Sequence, residues 1–114
     1  MNNTKCCTSL PELTREHSEK MSKVFQTLGD NGRLSLVLAC MDSQKSVSEL
    51  MEITGMSQSL TSHQLRALKD SRILRSEKQG RKVLYTIDDA HIHHIITDLA
   101  HHILENCEHD HSCK

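Results

Sequence analysis

Apolar residues recur along this chain in short blocks at helical spacing, separated by capping and turn signals. Leu13, Met21, Val24, Phe25 and Leu28 form the apolar side of a first helix. It is expected from about Pro11, a favourable helix-starting residue, to Leu28. Gly29-Asp30-Asn31-Gly32 reads as a turn. A second helix, roughly Arg33 to Met41, carries Leu34, Leu36, Val37, Leu38 and Cys40. It is apolar nearly all round, which places it centrally, with Cys40 as a small core residue. After a loop at Asp42–Lys45, Ser46 and Glu49 have capping-box spacing and open a short helix, Val47 to Thr54, stopped by Gly55. Ser57 caps the next helix, Gln58 to Lys69. Across this pair Leu50, Ile53, Met56, Leu60, Leu65 and Leu68 are expected to face the core.

The period then changes. Residues 73–77 and 81–87 read as two short strands joined at Lys78-Gln79-Gly80, the glycine supplying the turn. A helical stripe returns in the last third, Asp88 to Asn106, with Ile92, Ile95, Ile96, Leu99 and Ile103 on one side. The expected fold is mostly α (α+β): about five helices with a two-stranded hairpin, a winged helix-turn-helix. Residues 1–10 read as a disordered, cysteine-containing arm, 11–106 as the folded domain, and 107–114 as a Cys/His-rich tail.

Charge is divided along the chain. The net charge is −1, yet Arg66, Lys69, Arg72, Arg75, Lys78, Arg81 and Lys82 crowd the middle, while the segment from Asp88 onward is acidic and rich in histidine. A basic middle suits a polyanion and an acidic, histidine-rich end suits a cation. On the second helix of the pair, Gln58, Ser59, Ser62, His63 and Arg66 lie opposite the apolar side, and such short donors and amides suit base edges and phosphates. Lys78, Arg81 and Lys82 at the hairpin tip make it a basic wing able to reach phosphates or the minor groove.

The final helix carries the candidate metal chemistry. Asp89, His91, His102 and Glu105 flank its apolar stripe and are ligand types for a borderline metal. Such polar flanks also occur on any amphipathic helix, but Asp89 is a natural N-cap, which turns its carboxylate towards His91. At 100° per residue His91 and His102 project within about 20° of each other, yet about 16 Å of helix separates them. Zinc–nitrogen bonds are about 2 Å, so one copy cannot close all four ligands on one ion. Two antiparallel copies can, and their two-fold axis creates a second, equivalent site. A chain of 114 residues with 36% hydrophobic content and almost no aromatics is short of core for a stable monomer, which favours an obligate homodimer as well.

The residues Met56 to Lys69, followed by Lys78-Gln79-Gly80-Arg81 and Tyr85, resemble the recognition helix and wing of the ArsR/SmtB metal-sensing repressors. So does Phe25 to Asp30 leading to Arg33, and the likeness spans about residues 20–106. Its most specific part is Asp89-x-His91 with His102-x-x-Glu105, which matches the family's zinc-site pattern. The resemblance implies a homodimer that binds palindromic operator DNA without metal and releases it when metal binds. It also implies that His102 donates towards backbone near Arg72. The pattern departs at the family's second type of site, where Ser46 and Glu49 stand in place of the cysteine and carboxylate at the start of the third helix. Cys6 and Cys7, with His17, thus lack the partner of a soft thiolate cage.

Tetrahedral N/O ligation suits Zn(II), with Co(II) as an imitator. Cys107, His109, His111 and Cys113 in the tail are possible additional ligands and keep Ni(II) and Cd(II) open. The rival reading is a DNA-binding thiol, soft-metal (cadmium, lead, arsenite) or redox sensor using Cys6, Cys7, Cys107 and Cys113; a metal buffer is a third, against which the basic wing counts. No H-E-x-x-H, nucleophile elbow or phosphate loop is present, so neither an enzyme nor a small organic substrate is expected. No apolar run approaches membrane-spanning length and MNNTKCC has no signal-peptide core, so a cytoplasmic protein is expected.

Overall fold

The computed structural model describes residues 9–110, with side chains through Glu105. Five helices and a three-stranded antiparallel sheet make up the described chain: α1 (Arg15–Leu28), α2 (Asn31–Ala39), β1 (Lys45–Ser46), α3 (Val47–Thr54), α4 (Gln58–Asp70), β2 (Leu74–Gln79), β3 (Lys82–Ile87) and α5 (Ala90–Asp110). The fold is a winged helix-turn-helix, with α3 and α4 as the helix pair and β2–β3 as the wing.

Local chemistry explains most boundaries. Ser46 and Glu49 close a reciprocal capping box at the start of α3, and Gly55 ends it in the left-handed region at φ 78°. Ser57 accepts from the Leu60 N–H and opens α4. Gln79 pairs with Lys82, leaving Gly80 and Arg81 as the turn. A positive φ of 64° at Gly80, and not at Arg81, is the pattern of a type II′ hairpin.

Four expectations shift. α1 begins at Arg15 rather than near Pro11, because Thr14 caps it: Thr14 accepts from the His17 N–H while His17 Nδ1 accepts from the Thr14 N–H. Asn31 and Gly32 belong to α2, since Asp30 is its N-cap and not the middle of a turn. Lys45 and Ser46, read as the end of a loop, form β1 on the outer edge of β3. Finally, Ile53, Leu60 and Leu38 are exposed rather than core. Thr61 and Gln64 are buried on α4 instead.

Leu36 and Val37 of α2, with Cys40 at its C-cap, are the centre of the core. Leu50, Leu65, Leu68, Ile73, Leu74, Ile87 and Ile96 close round them from α3, α4, the wing base and α5. Among the described residues α5 gives the core one buried position, Ile96, with Ile92 partly buried beside it. Its other apolar residues, Ile95, Leu99, Ile103 and Leu104, stay exposed, as do Met21 and Phe25 of α1. A wholly apolar groove of about 180 Å³ runs between these two helices, lined by Met21, Val24, Phe25, Leu28, Ile92 and Ile95.

Candidate DNA-reading face and metal half-site

α4 presents Gln58, Ser59, Ser62, His63 and Arg66 to solvent along one side, and Lys78, Arg81 and Lys82 are exposed on the wing. The opposite side of α4 is fastened to the core by Leu65 and Leu68 and by a polar network that no local sequence signal announces. Gln64 Nε2 donates to the Asp30 carboxylate at 3.0 Å, and Arg33 Nη1 donates to Gln64 Oε1 at 3.1 Å. Arg33 Nε also donates to the Thr27 carbonyl at 2.7 Å. Gly32 lines this knot, where a Cβ would stand 3.3 Å from the Asp30 carboxylate. The far end of α4 is tied separately, Ser71 Oγ lying 3.2 Å from Thr27 Oγ1. The helix finishes in a Schellman motif: Ile73 N–H reaches Leu68 O, Arg72 N–H reaches Lys69 O, and Arg72 takes the left-handed conformation at φ 61°. The recognition helix is therefore locked to α1 and α2 at its middle and at its end.

At the start of α5, the Asp89 carboxylate accepts from the Ile92 N–H at 3.0 Å and its backbone carbonyl accepts from the His93 N–H. Asp89 is thus the N-cap, as its position suggested. The same carboxylate lies 3.7 Å from His91 Nδ1. Two ligand atoms on one tetrahedral zinc stand about 3.3 Å apart, so this pair fits half of such a site with little adjustment. The bond from Ile92 N–H, and then the neighbouring imidazole, hold the Asp89 carboxyl below the usual carboxylate range, keeping it ionised as a ligand must be. Both side chains are open to solvent.

His102 and Glu105 are exposed further along α5, one turn apart, and the helix carries them away from Asp89 and His91. Among the described residues no group of three or more His, Cys, Asp or Glu side chains is placed to hold a metal ion within one protomer.

Cys6, Cys7, Cys107, His109, His111 and Cys113 lie outside the residues whose side chains are described. Cys40 is buried, and desolvation pushes its thiol up to about 11 against the weaker pull of Lys45. It stays a protonated core residue at neutral pH. Of the histidines without an expected role, His94 and His101 are exposed, whereas His93 is half-buried and bonded. Among the described residues no helix is long and apolar enough to cross a membrane.

The helix pair α3–α4 followed by a basic hairpin defines the winged helix-turn-helix class. Residues 30–76 match the family described as bacterial regulatory protein, arsR family. The chain is 30% identical over 94 residues to the transcriptional repressor SmtB homolog of Synechocystis sp., covering 82% of this chain and 71% of that one. It is 33% identical over 92 residues to the HTH-type transcriptional repressor SmtB of Mycobacterium tuberculosis, covering 81% and 68%. The fold matches the homodimeric winged helix-turn-helix DNA-binding domain of Mb0332 from Mycobacterium bovis with a TM-score of 0.72, at 18% identity over 86% of this chain and 92% of that one. The chain belongs to the ArsR family of bacterial regulatory proteins.

Proposed function

We propose that this protein is a metal-responsive transcriptional repressor, a homodimer that holds operator DNA without metal and releases it on binding Zn(II). One observation carries the metal reading: a paired carboxylate and imidazole at the head of α5, with a second ligand pair about 16 Å down the same helix. Only a second copy can bring head and tail together. The exposed stripe Ile95, Leu99, Ile103 with Met21 and Phe25 supports the pairing, since so much contiguous apolar surface is unusual on a lone protomer. The likeness to SmtB repressors and to a homodimeric winged-helix domain supports the same reading.

In the apo dimer the two α4 helices enter successive major grooves of a palindromic operator. Gln58, Ser59, Ser62 and His63 face base edges, and Arg66, Lys78, Arg81 and Lys82 hold phosphates. Asp89 and His91 of one protomer, with the partner's His102 and the partner's Glu105, are the zinc ligands. Bound there, zinc would join the two α5 helices. Tethering the helices would fix the angle between the subunits and so the spacing of the recognition helices. A closed four-ligand set leaves no coordination position for a substrate, which suits sensing rather than catalysis.

Operator-release titrations with zinc, cobalt, nickel and cadmium, run on wild type and on His102→Ala, test this reading. Zinc should release the wild type at the lowest concentration, and the variant should keep apo operator affinity while losing release. A variant that still lets go at low zinc contradicts the ligand set. An all-Cys→Ser protein should respond like wild type, whereas the rival thiol sensor would lose its response.

A further inference from the structure

His93 belongs to neither proposed ligand pair, yet its ring is half-buried, whereas His91, His94, His101 and His102 are exposed. His93 Nε2 lies 3.3 Å from the Met41 carbonyl, two residues past the end of α2, and its Nδ1 lies 3.5 Å from Thr97 Oγ1 one turn on. A carbonyl only accepts, so Nε2 carries the proton and Nδ1 accepts from the Thr97 hydroxyl. Both nitrogens are engaged, and neither is available as a ligand. His93 also stands two residues from His91, and its N–H bonds the Asp89 carbonyl.

The neighbouring backbone is tied down in the same way. Asp88 N–H donates to the Ile73 carbonyl at 3.0 Å, and Arg75 Nη1 donates to the Asp88 carbonyl at 2.6 Å. Ile73 is the residue that closes the Schellman motif of α4. The head of α5 therefore rests on three supports, one on Met41, which its own N–H ties back to Leu38 of α2, and two on β2 and its lead-in.

We infer that His93 is a positioning residue: the strut that passes metal occupancy at Asp89 and His91 into the DNA-reading domain of its own protomer. The inference rests on the sensor reading proposed above and gives the ligand pair at the head of α5 a route of its own. Without the strut the first turn of α5 can swing towards the partner helix while α2, and the α4 locked to it, stay in place. Metal then binds but DNA is not told.

The test uses the full-length protein and three measurements: zinc affinity by chelator competition, apo operator affinity, and operator affinity with zinc saturating. His93→Leu should keep the first two within about three-fold of wild type, while the zinc-driven loss of operator affinity, of the order of 5–150-fold in coupled systems, falls at least about three-fold. His93→Gln, whose amide can donate to Met41, should restore much of it. Thr97→Val is the gentler variant should His93→Leu fold poorly, with a smaller change in the same direction. A His93→Leu protein that responds as fully as wild type overturns the strut alone. Loss of zinc affinity in both His93 variants overturns it too, by making His93 part of the ligand set. If zinc leaves wild-type operator affinity unchanged, the sensor reading fails and the strut fails with it.

Discussion

Thr61 sits fully buried on the recognition helix, and its hydroxyl meets no hydrogen-bond partner among the described residues. An unpaired buried hydroxyl costs more than the methyl of the same shape would. Thr61→Val should therefore leave stability unchanged or raise it by up to about 1 kcal/mol, read from urea unfolding. A loss greater than that would reveal a bond to the hydroxyl. Cys40 makes the opposite kind of statement. Its folded value of about 11 lies above the ordinary thiol, so its share of stability is complete below the unfolded value, near pH 9, and is lost as pH rises from there towards 11. Native protein treated with iodoacetamide at pH 8 should show Cys40 unmodified on peptide mapping, and Cys40→Ala should flatten the alkaline limb of the stability profile. At this scale what the chain advertises is local. The capping box of Ser46 and Glu49, the stop at Gly55 and the turn at Gly80 were legible because each is settled within four residues. The cap at Thr14 was not, because a histidine, His17, stands where the pattern calls for Glu or Gln.

Elements were legible where their own periodicity set them and obscure where another element did. α3, α4 and the wing strands follow from apolar spacing and turn chemistry. β1 is two residues long and exists because Lys45 and Ser46 pair with Tyr85 and Leu84, partners about forty positions away. The lock on α4 is of the same kind: nothing near Gln64 points to Asp30 and Arg33. Gln64→Ala should cost roughly 1–2 kcal/mol in stability, since it removes both bonds from a half-buried knot. It should weaken operator binding while leaving zinc affinity unchanged, because the proposed ligands lie on α5; an unaltered operator affinity would mean that Leu65 and Leu68 suffice to aim the helix. The wing acts through charge instead. Arg81→Ala should weaken binding to specific and random DNA alike and lower the salt slope by about one, a difference visible in affinities taken between low and moderate salt.

The whole molecule is where reading a single chain reaches its limit. Met21, Phe25, Leu99 and Ile103 lie on the apolar faces of their helices, but apolar spacing does not distinguish a core from a surface that a second copy would cover. The three-dimensional fold leaves them exposed while Leu36, Leu65 and Ile96 are covered, which supports the proposed dimer. The ligand spacing on α5 leads to the same second copy by a different argument. Mixing two disabled subunits tests this most directly. His91→Ala and His102→Ala homodimers should each lack high-affinity zinc sites. In a heterodimer of the two, one site loses both histidines and the other regains both. Random re-pairing of equal amounts should therefore restore tight zinc binding to about one quarter of the wild-type stoichiometry. No recovery above the separate variants would contradict a site shared between subunits.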